Sequence, residues 1–269
     1  MALPATRGST LITRTSAARA GQYIDITQAE IDLVNIEGLL LWLDAKSLLA
    51  GSTTALRDRL AGLAGTVDNG VALAGSGGTK DNLGFVFPAT PDNHQRLAMP
   101  NFAMPSDYTV VFVINPSNGT TASAIRVLLY ELPNGEYLQI WLEQPAVDGP
   151  LTLRARHGST GGFNLVGVIP HSTRSILTIH YDPIRTRLSA FLGKTLLGAV
   201  TENAKDAGVG SWFGGRPGTT QPTHKFFGMI EAAIVLGGLS FYSADATNPA
   251  NARRNALIDA VAAVYGLTV

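Results

Sequence analysis

The 269-residue chain contains no cysteine, which excludes disulfide staples, thiolate metal sites and a cysteine nucleophile. It also lacks net charge, since 20 Lys and Arg balance 20 Asp and Glu. No global field therefore draws it to nucleic acid or an anionic membrane. The weak self-repulsion of such a chain favours association. Long apolar runs are missing: none approaches the length that spans a bilayer, and Met1–Thr10 has no apolar core of the kind found in a signal peptide. The expectation is a protein made and held in the cytoplasm until it is used, with no membrane insertion. Charged residues are sparse at 15%, against 45% hydrophobic, so the chain can bury a core of single-domain size.

Residues 1 to about 21 are rich in Ala, Thr and Ser, and carry Arg7, Arg14 and Arg19 with no acid before Asp25. So little apolar surface cannot offset the entropy of ordering, and such an arm is ordered most easily by packing on another surface. Thr27 followed three residues later by Glu30 is a capping-box pattern and predicts a short helix over about 28–35, bridging arm and body.

From Gly38 onward the pattern is that of strands. Leu39–Leu43, Thr109–Ile114 and Ala232–Leu236 are near-continuous apolar runs, expected of strands buried on both faces. Two segments alternate instead: Leu138, Ile140 and Leu142 oppose Tyr137, Gln139, Trp141 and Glu143, while Leu151, Leu153 and Ala155 oppose Thr152, Arg154 and Arg156. Further strands are expected at Leu83–Phe87, Ile125–Tyr130, Phe163–Val168, Ile176–Tyr181 and Leu188–Leu192, separated by turn residues such as Pro133-Asn134-Gly135 and Gly193-Lys194. Asn248-Pro249 then opens an amphipathic helix, with Leu257, Ile258, Val261, Val264 and Tyr265 on one stripe and Gly266 closing it. The fold class is all-β: a sandwich over residues 38–269 with one C-terminal helix, preceded by a docking segment over 1–37.

The ordered series Leu41-Trp42-Leu43-Asp44-Ala45, Phe85-Val86-Phe87-Pro88, Asp107–Ile114, Leu177–Asp182, Phe191-Leu192-Gly193-Lys194, Phe213-Gly214-Gly215-Arg216 and Phe227–Val235 resembles the concanavalin A-like (laminin G-like) jelly-roll domains common in bacteriophage and bacterial proteins. The resemblance covers about Gly38 to Val269. It implies a lectin-like sandwich, a scaffold that hosts lectins, hydrolases and pure interaction modules alike.

Catalytic patterns fail on inspection. Glucanases of this fold alternate Glu, Asp and Glu on one strand face, whereas the nearest match, Glu30 to Glu37, spaces its last Glu too far along and precedes the sandwich. Glu30 and Asp32 therefore read as surface and capping residues. Gly193-Lys194-Thr195 imitates the end of a phosphate loop, but Leu188 stands where that motif needs Gly. His94, His157, His171, His180 and His224 show no ligand spacing, and His180 reads as a hydrogen-bonded structural residue. Asp81, Asp92 or Asp148 could contribute to a calcium site, but no dense Asp/Asn loop accompanies them. No metal, cofactor or enzymatic activity is expected.

One surface stands out. If the two alternating strands pair, Tyr137, Gln139 and Trp141 lie beside Arg154 and Arg156 on one face, and rings flanked by hydrogen-bonding groups suit stacking on sugars or a protein interface. The leading expectation from sequence is a bacteriophage structural protein (capsid-decoration, minor-head or tail-associated) that docks on other virion proteins through Arg7, Arg14 and Arg19 and forms oligomers in the assembly. A carbohydrate-binding module for host-surface glycan is the alternative, and a glycan hydrolase comes third.

Overall fold

The computed structural model describes residues 26–49, 52–68, 71–75, 83–87, 95–117, 124–133, 138–144, 149–157, 163–204, 208–215 and 226–269. Helix α1 (Gln28–Val34) leads into β1 (Leu39–Asp44), a 3-10 turn at Ala45–Ser47, and the short strands β2 (Ala55–Arg57), β3 (Ala64–Asp68) and β4 (Ala72–Gly75). Then come β5 (Leu83–Phe87), β6 (Arg96–Met99), β7 (Tyr108–Pro116), β8 (Ala124–Pro133), β9 (Leu138–Gln144), β10 (Leu151–His157) and β11 (Phe163–Ile169). The remaining elements are β12 (Ser175–Asp182), β13 (Arg187–Leu192), β14 (Thr195–Thr201), β15 (Gly208–Phe213), β16 (Gly228–Gly237) and helix α2 (Pro249–Tyr265).

These strands form two antiparallel 8-stranded sheets. The first runs β14-β13-β12-β7-β16-β5-β4, with β1 also paired to β16; the second runs β11-β10-β9-β8-β15-β6-β3-β2. Along one edge of β16, β5 occupies Gly228–Ile230 and β1 occupies Ala232–Leu236, end to end. Between the sheets lies the main core, built from the inward residues of both, including Leu41, Phe85, Phe112, Ile140, Leu153, Ile179 and Phe213.

The three continuous apolar runs are β1, β7 and β16, adjacent strands of the first sheet. They are apolar on both faces because the outer face of that sheet carries a second core. There Trp42, Val111, Val113, Ile234 and Leu236 meet Leu257, Ile258, Val261 and Tyr265 of α2 and Leu33 and Val34 of α1. Helix α1 begins with the expected capping box, Thr27 accepting from the Glu30 amide while Glu30 accepts from the Thr27 amide, and its Leu33 and Val34 are buried in the second core.

Helix α2 starts at Asn248, whose side chain accepts from the Ala250 amide at 2.9 Å, with Pro249 in the first turn. It ends at Gly266, where a φ of 62° suits a residue without a Cβ. Asn248→Ala is expected to lower stability by about 1 kcal/mol, read as a shifted urea midpoint at unchanged slope; no shift would remove the cap from the account. Its other end is tied down by Arg174, which holds buried Glu231 bidentately at 2.7 and 2.6 Å and donates to the Tyr265 carbonyl at 2.7 Å. Among the described residues, no helix is long and apolar enough to cross a membrane.

A buried ionic cluster joins α1, β1 and α2. The Arg59 guanidinium lies 3.7 Å over the Trp42 ring and reaches Asp44 at 2.6 Å and Glu30 at 2.8 Å. Lys46 meets Glu30 at 2.5 Å. The Tyr265 hydroxyl accepts from the Trp42 indole at 2.8 Å and donates to Asp44 at 3.1 Å. Glu30, expected at the surface, is 2% exposed. Burial alone would raise its pKa, but Lys46, the Thr27 amide and Arg59 together hold it at about 2.

Candidate functional site

The second sheet turns one face to the core and the other away from it. On β9, Leu138, Ile140 and Leu142 point into the core, so Gln139, Trp141 and Glu143 project from the opposite face. Strands β9 and β10 do pair, with Trp141 opposite Arg154 and Gln139 opposite Arg156. The register extends the face in both directions: Gln139 lies opposite Tyr130 of β8, which lies opposite Trp212 of β15, and Trp141 lies opposite Val127. One cross-strand row thus reads Trp212, Tyr130, Gln139, Arg156, and the next reads Val127, Trp141, Arg154.

Polar contacts organise this face. Arg154 forms an ion pair with Glu143. Arg156 donates to Gln139 at 3.2 Å, and its guanidinium lies 5.5 Å from the centre of the Trp141 ring. The face is less open than strand alternation alone suggests: Trp141 is 6% exposed, and Tyr130 and Gln139 2% each. Trp212, Glu143, Arg154 and Arg156 are half-buried and form the accessible part. The Trp141 indole N–H is buried without a hydrogen-bond partner among the described residues. Tyr137 lies outside the described residues, as do the arm residues Arg7, Arg14 and Arg19, His94 and His224, and Asp81, Asp92 and Asp148. Tyr130 and Trp212 were not singled out from sequence, although they complete the aromatic row.

The described histidines are held by structural hydrogen bonds. His157 Nδ1 donates to the Asn203 carbonyl at 2.8 Å, which leaves Nε2 to accept from the Tyr108 hydroxyl at 2.9 Å. Burial pushes the Tyr108 hydroxyl well above its ordinary pKa. His180 accepts from the Phe241 amide at Nε2, 3.4 Å, so its Nδ1–H donates to Thr109 Oγ1 at 2.9 Å. Burial lowers the His180 pKa to about 4, keeping the ring neutral at pH 7. Ser189 and Asp182 lie close by on β13 and β12, yet both ring nitrogens of His180 are engaged elsewhere, so the three do not form a nucleophilic relay. No cluster of three or more His, Cys, Asp or Glu able to hold a metal occurs among the described residues.

No protein-family model matches the chain, and no curated sequence does. Solved structures do match. The fourth domain of AbnA, a GH43 extracellular arabinanase from Geobacillus stearothermophilus in complex with arabinotriose, superposes with a TM-score of 0.53 at 15% identity, covering 74% of this chain and 92% of that domain. Botulinum neurotoxin type C, described as interacting with two ganglioside molecules, gives 0.54 at 10% identity over 85% of this chain and 53% of its own. Trypanosoma rangeli sialidase gives 0.53 at 13% over 82% and 33%. At such identities the likeness is one of fold, a β-sandwich.

Proposed function

We propose that this chain is a carbohydrate-binding module that holds glycan without cleaving it, through the outer face of the second sheet. The observation that carries this reading is the aromatic row. Among the described residues, helices cover the outer face of the first sheet and none covers that of the second, yet the second carries accessible Trp212 backed by the covered rings of Tyr130 and Trp141 where a merely solvated face would be polar. Indole and phenol rings offer apolar platforms to the C–H face of a sugar, and Gln139, Arg154, Arg156 and Glu143 offer donors and acceptors to its hydroxyls. Trp212 and the two arginines would make first contact, and the covered Trp141 supplies the floor. Support from the comparisons is limited to fold: a domain that binds arabinotriose and a toxin that interacts with gangliosides share this scaffold. The expectation of virion docking rests on Arg7, Arg14 and Arg19, and nothing among the described residues adds to it.

The test is titration with arabinotriose and a panel of ganglioside oligosaccharides, followed by tryptophan fluorescence. At least one glycan should bind saturably and be recovered unhydrolysed. Trp212→Ala should weaken binding about tenfold or more and leave the protein folded, since Trp212 lies outside both cores. Failure of every glycan to bind, or undiminished binding by Trp212→Ala, would overturn the proposal.

A further inference from the structure

On the far side of the sandwich from Trp212, the outer face of the first sheet holds a recess. Core-facing Leu188 and Ala190 alternate with Arg187 and Ser189 on β13, and core-facing Ile179 and Tyr181 with His180 and Asp182 on β12. Cross-strand register sets Ser189 beside His180 and Arg187 beside Asp182. The segment after β16 folds over them, and Tyr242 forms the opposite wall of a recess of about 170 Å³.

The polar groups of this recess do not balance internally. Asp182 is fully used: it accepts from the Ile184 amide at 2.9 Å, the Arg185 amide at 3.2 Å and the Arg185 guanidinium at 2.6 Å. Both nitrogens of His180 are committed to Thr109 and Phe241. Two groups remain. Ser189 is 1% exposed, and its hydroxyl has no hydrogen-bond partner among the described residues, which costs the fold the desolvation of a polar group. Arg187 is half-buried, lies 5.6 Å from the Tyr242 ring, and has no carboxylate partner among the described residues.

We propose that this recess is a binding site for a small carboxylate, held by the Arg187 guanidinium and the Ser189 hydroxyl with its body against Tyr242. One uncompensated cation matches one negative charge. The planar fork of arginine matches the two oxygens of a carboxylate. A dianion such as sulfate would leave one charge uncompensated beside the Asp182 carboxylate. The site is separate from the sheet face proposed for glycan, and it would accept a free carboxylic acid or the carboxyl group of an acidic sugar.

Calorimetric titration of the full chain with acetate, with glucuronate and with sulfate, at ionic strength fixed by chloride, tests it. Acetate or glucuronate should bind saturably and more tightly than sulfate. Arg187→Gln should weaken that binding about tenfold or more, and Trp212→Ala should leave it unchanged. Ser189→Ala provides a readout that does not depend on charge. Without ligand its melting temperature should equal or exceed that of the parent, because an unpartnered buried hydroxyl is removed, while the stabilisation by added acetate or glucuronate should shrink. Absence of saturable carboxylate binding, tighter binding of sulfate, or undiminished affinity in Arg187→Gln would each overturn the assignment. Stronger glucuronate than acetate binding would place the site with acidic sugars, and the reverse with free acids.

Discussion

Replacing Trp42 with alanine is expected to destabilise the protein by about 3–5 kcal/mol, the range for truncating a buried large aromatic. Trp42 is 0% exposed and is where three supports meet: the helical layer packs on its ring, Arg59 stacks on it at 3.7 Å, and its indole N–H donates to Tyr265 at 2.8 Å. Alanine removes all three and leaves the Tyr265 hydroxyl without one of its partners. A domain of ordinary stability has only about 5–15 kcal/mol in total, so the urea midpoint should fall by a large fraction of its value. Trp42→Phe, which keeps most of the packing but not the hydrogen bond, should lose clearly less. Equal losses in the two variants, or a loss below about 1 kcal/mol in Trp42→Ala, would show that packing of α2 does not depend on this residue.

Arg59→Met should have an effect of similar size with a distinctive pH dependence. In the parent, Arg59 neutralises Asp44 and shares Glu30 with Lys46. Its removal leaves Asp44, 5% exposed, without its cation, and breaking a buried pair in this way costs about 3–5 kcal/mol near neutral pH. The folded pKa of Glu30 is lowered from 4.5 to about 2. A carboxylate with a lowered folded pKa contributes stability that is fully present above its unfolded pKa and is lost as pH falls through the folded one. The parent should therefore lose stability between about pH 4.5 and pH 2 through this group. In the variant Glu30 loses part of what holds its pKa down, so its share of the loss is smaller, and the two stability curves should converge on acidification. Parallel curves from pH 7 to pH 3 would mean that the loss in the variant does not come from the charges of Glu30 and Asp44.

Much of this architecture was legible in the sequence because local patterns and tertiary packing agree. Alternation over Leu138–Leu142 and Leu151–Ala155 marked β9 and β10 and correctly put Gln139 and Trp141 beside Arg156 and Arg154. The three unbroken apolar runs became neighbouring strands of the sheet covered on both faces. Capping residues marked both helices. Strand β15 was not legible because its first half reads as Gly208-Val209-Gly210, more like a turn than a strand. The structure supplies the reason: a Cβ on Gly210 would sit 2.6 Å from the Pro100 carbonyl oxygen. Those glycines hid Trp212, and with it half of the aromatic row. The short β2, β3 and β6 were missed because three to five residues carry too little periodicity to be told from loop. Alternation also states which way Trp141 points but not what covers it, so its burial came only with the structure. The ionic cluster was invisible for a similar reason: Arg59 reads as one more loop arginine until the fold brings Glu30 and Asp44 to it.

The end-to-end seating of β1 and β5 on one edge of β16, with β7 on the other, also bears on how the chain is made. During synthesis β1, β5 and β7 leave the ribosome well before the strand that joins them, and each carries apolar side chains and unpaired backbone groups in the interval. Their sheet can close only when β16 arrives, so the decisive contacts are distant in sequence and late in time, the regime in which folding is slow and nascent strands are prone to pair with the wrong neighbour. For a ribosome-bound chain the protease-resistant state should therefore appear abruptly, once Leu236 has cleared the exit tunnel, rather than strand by strand.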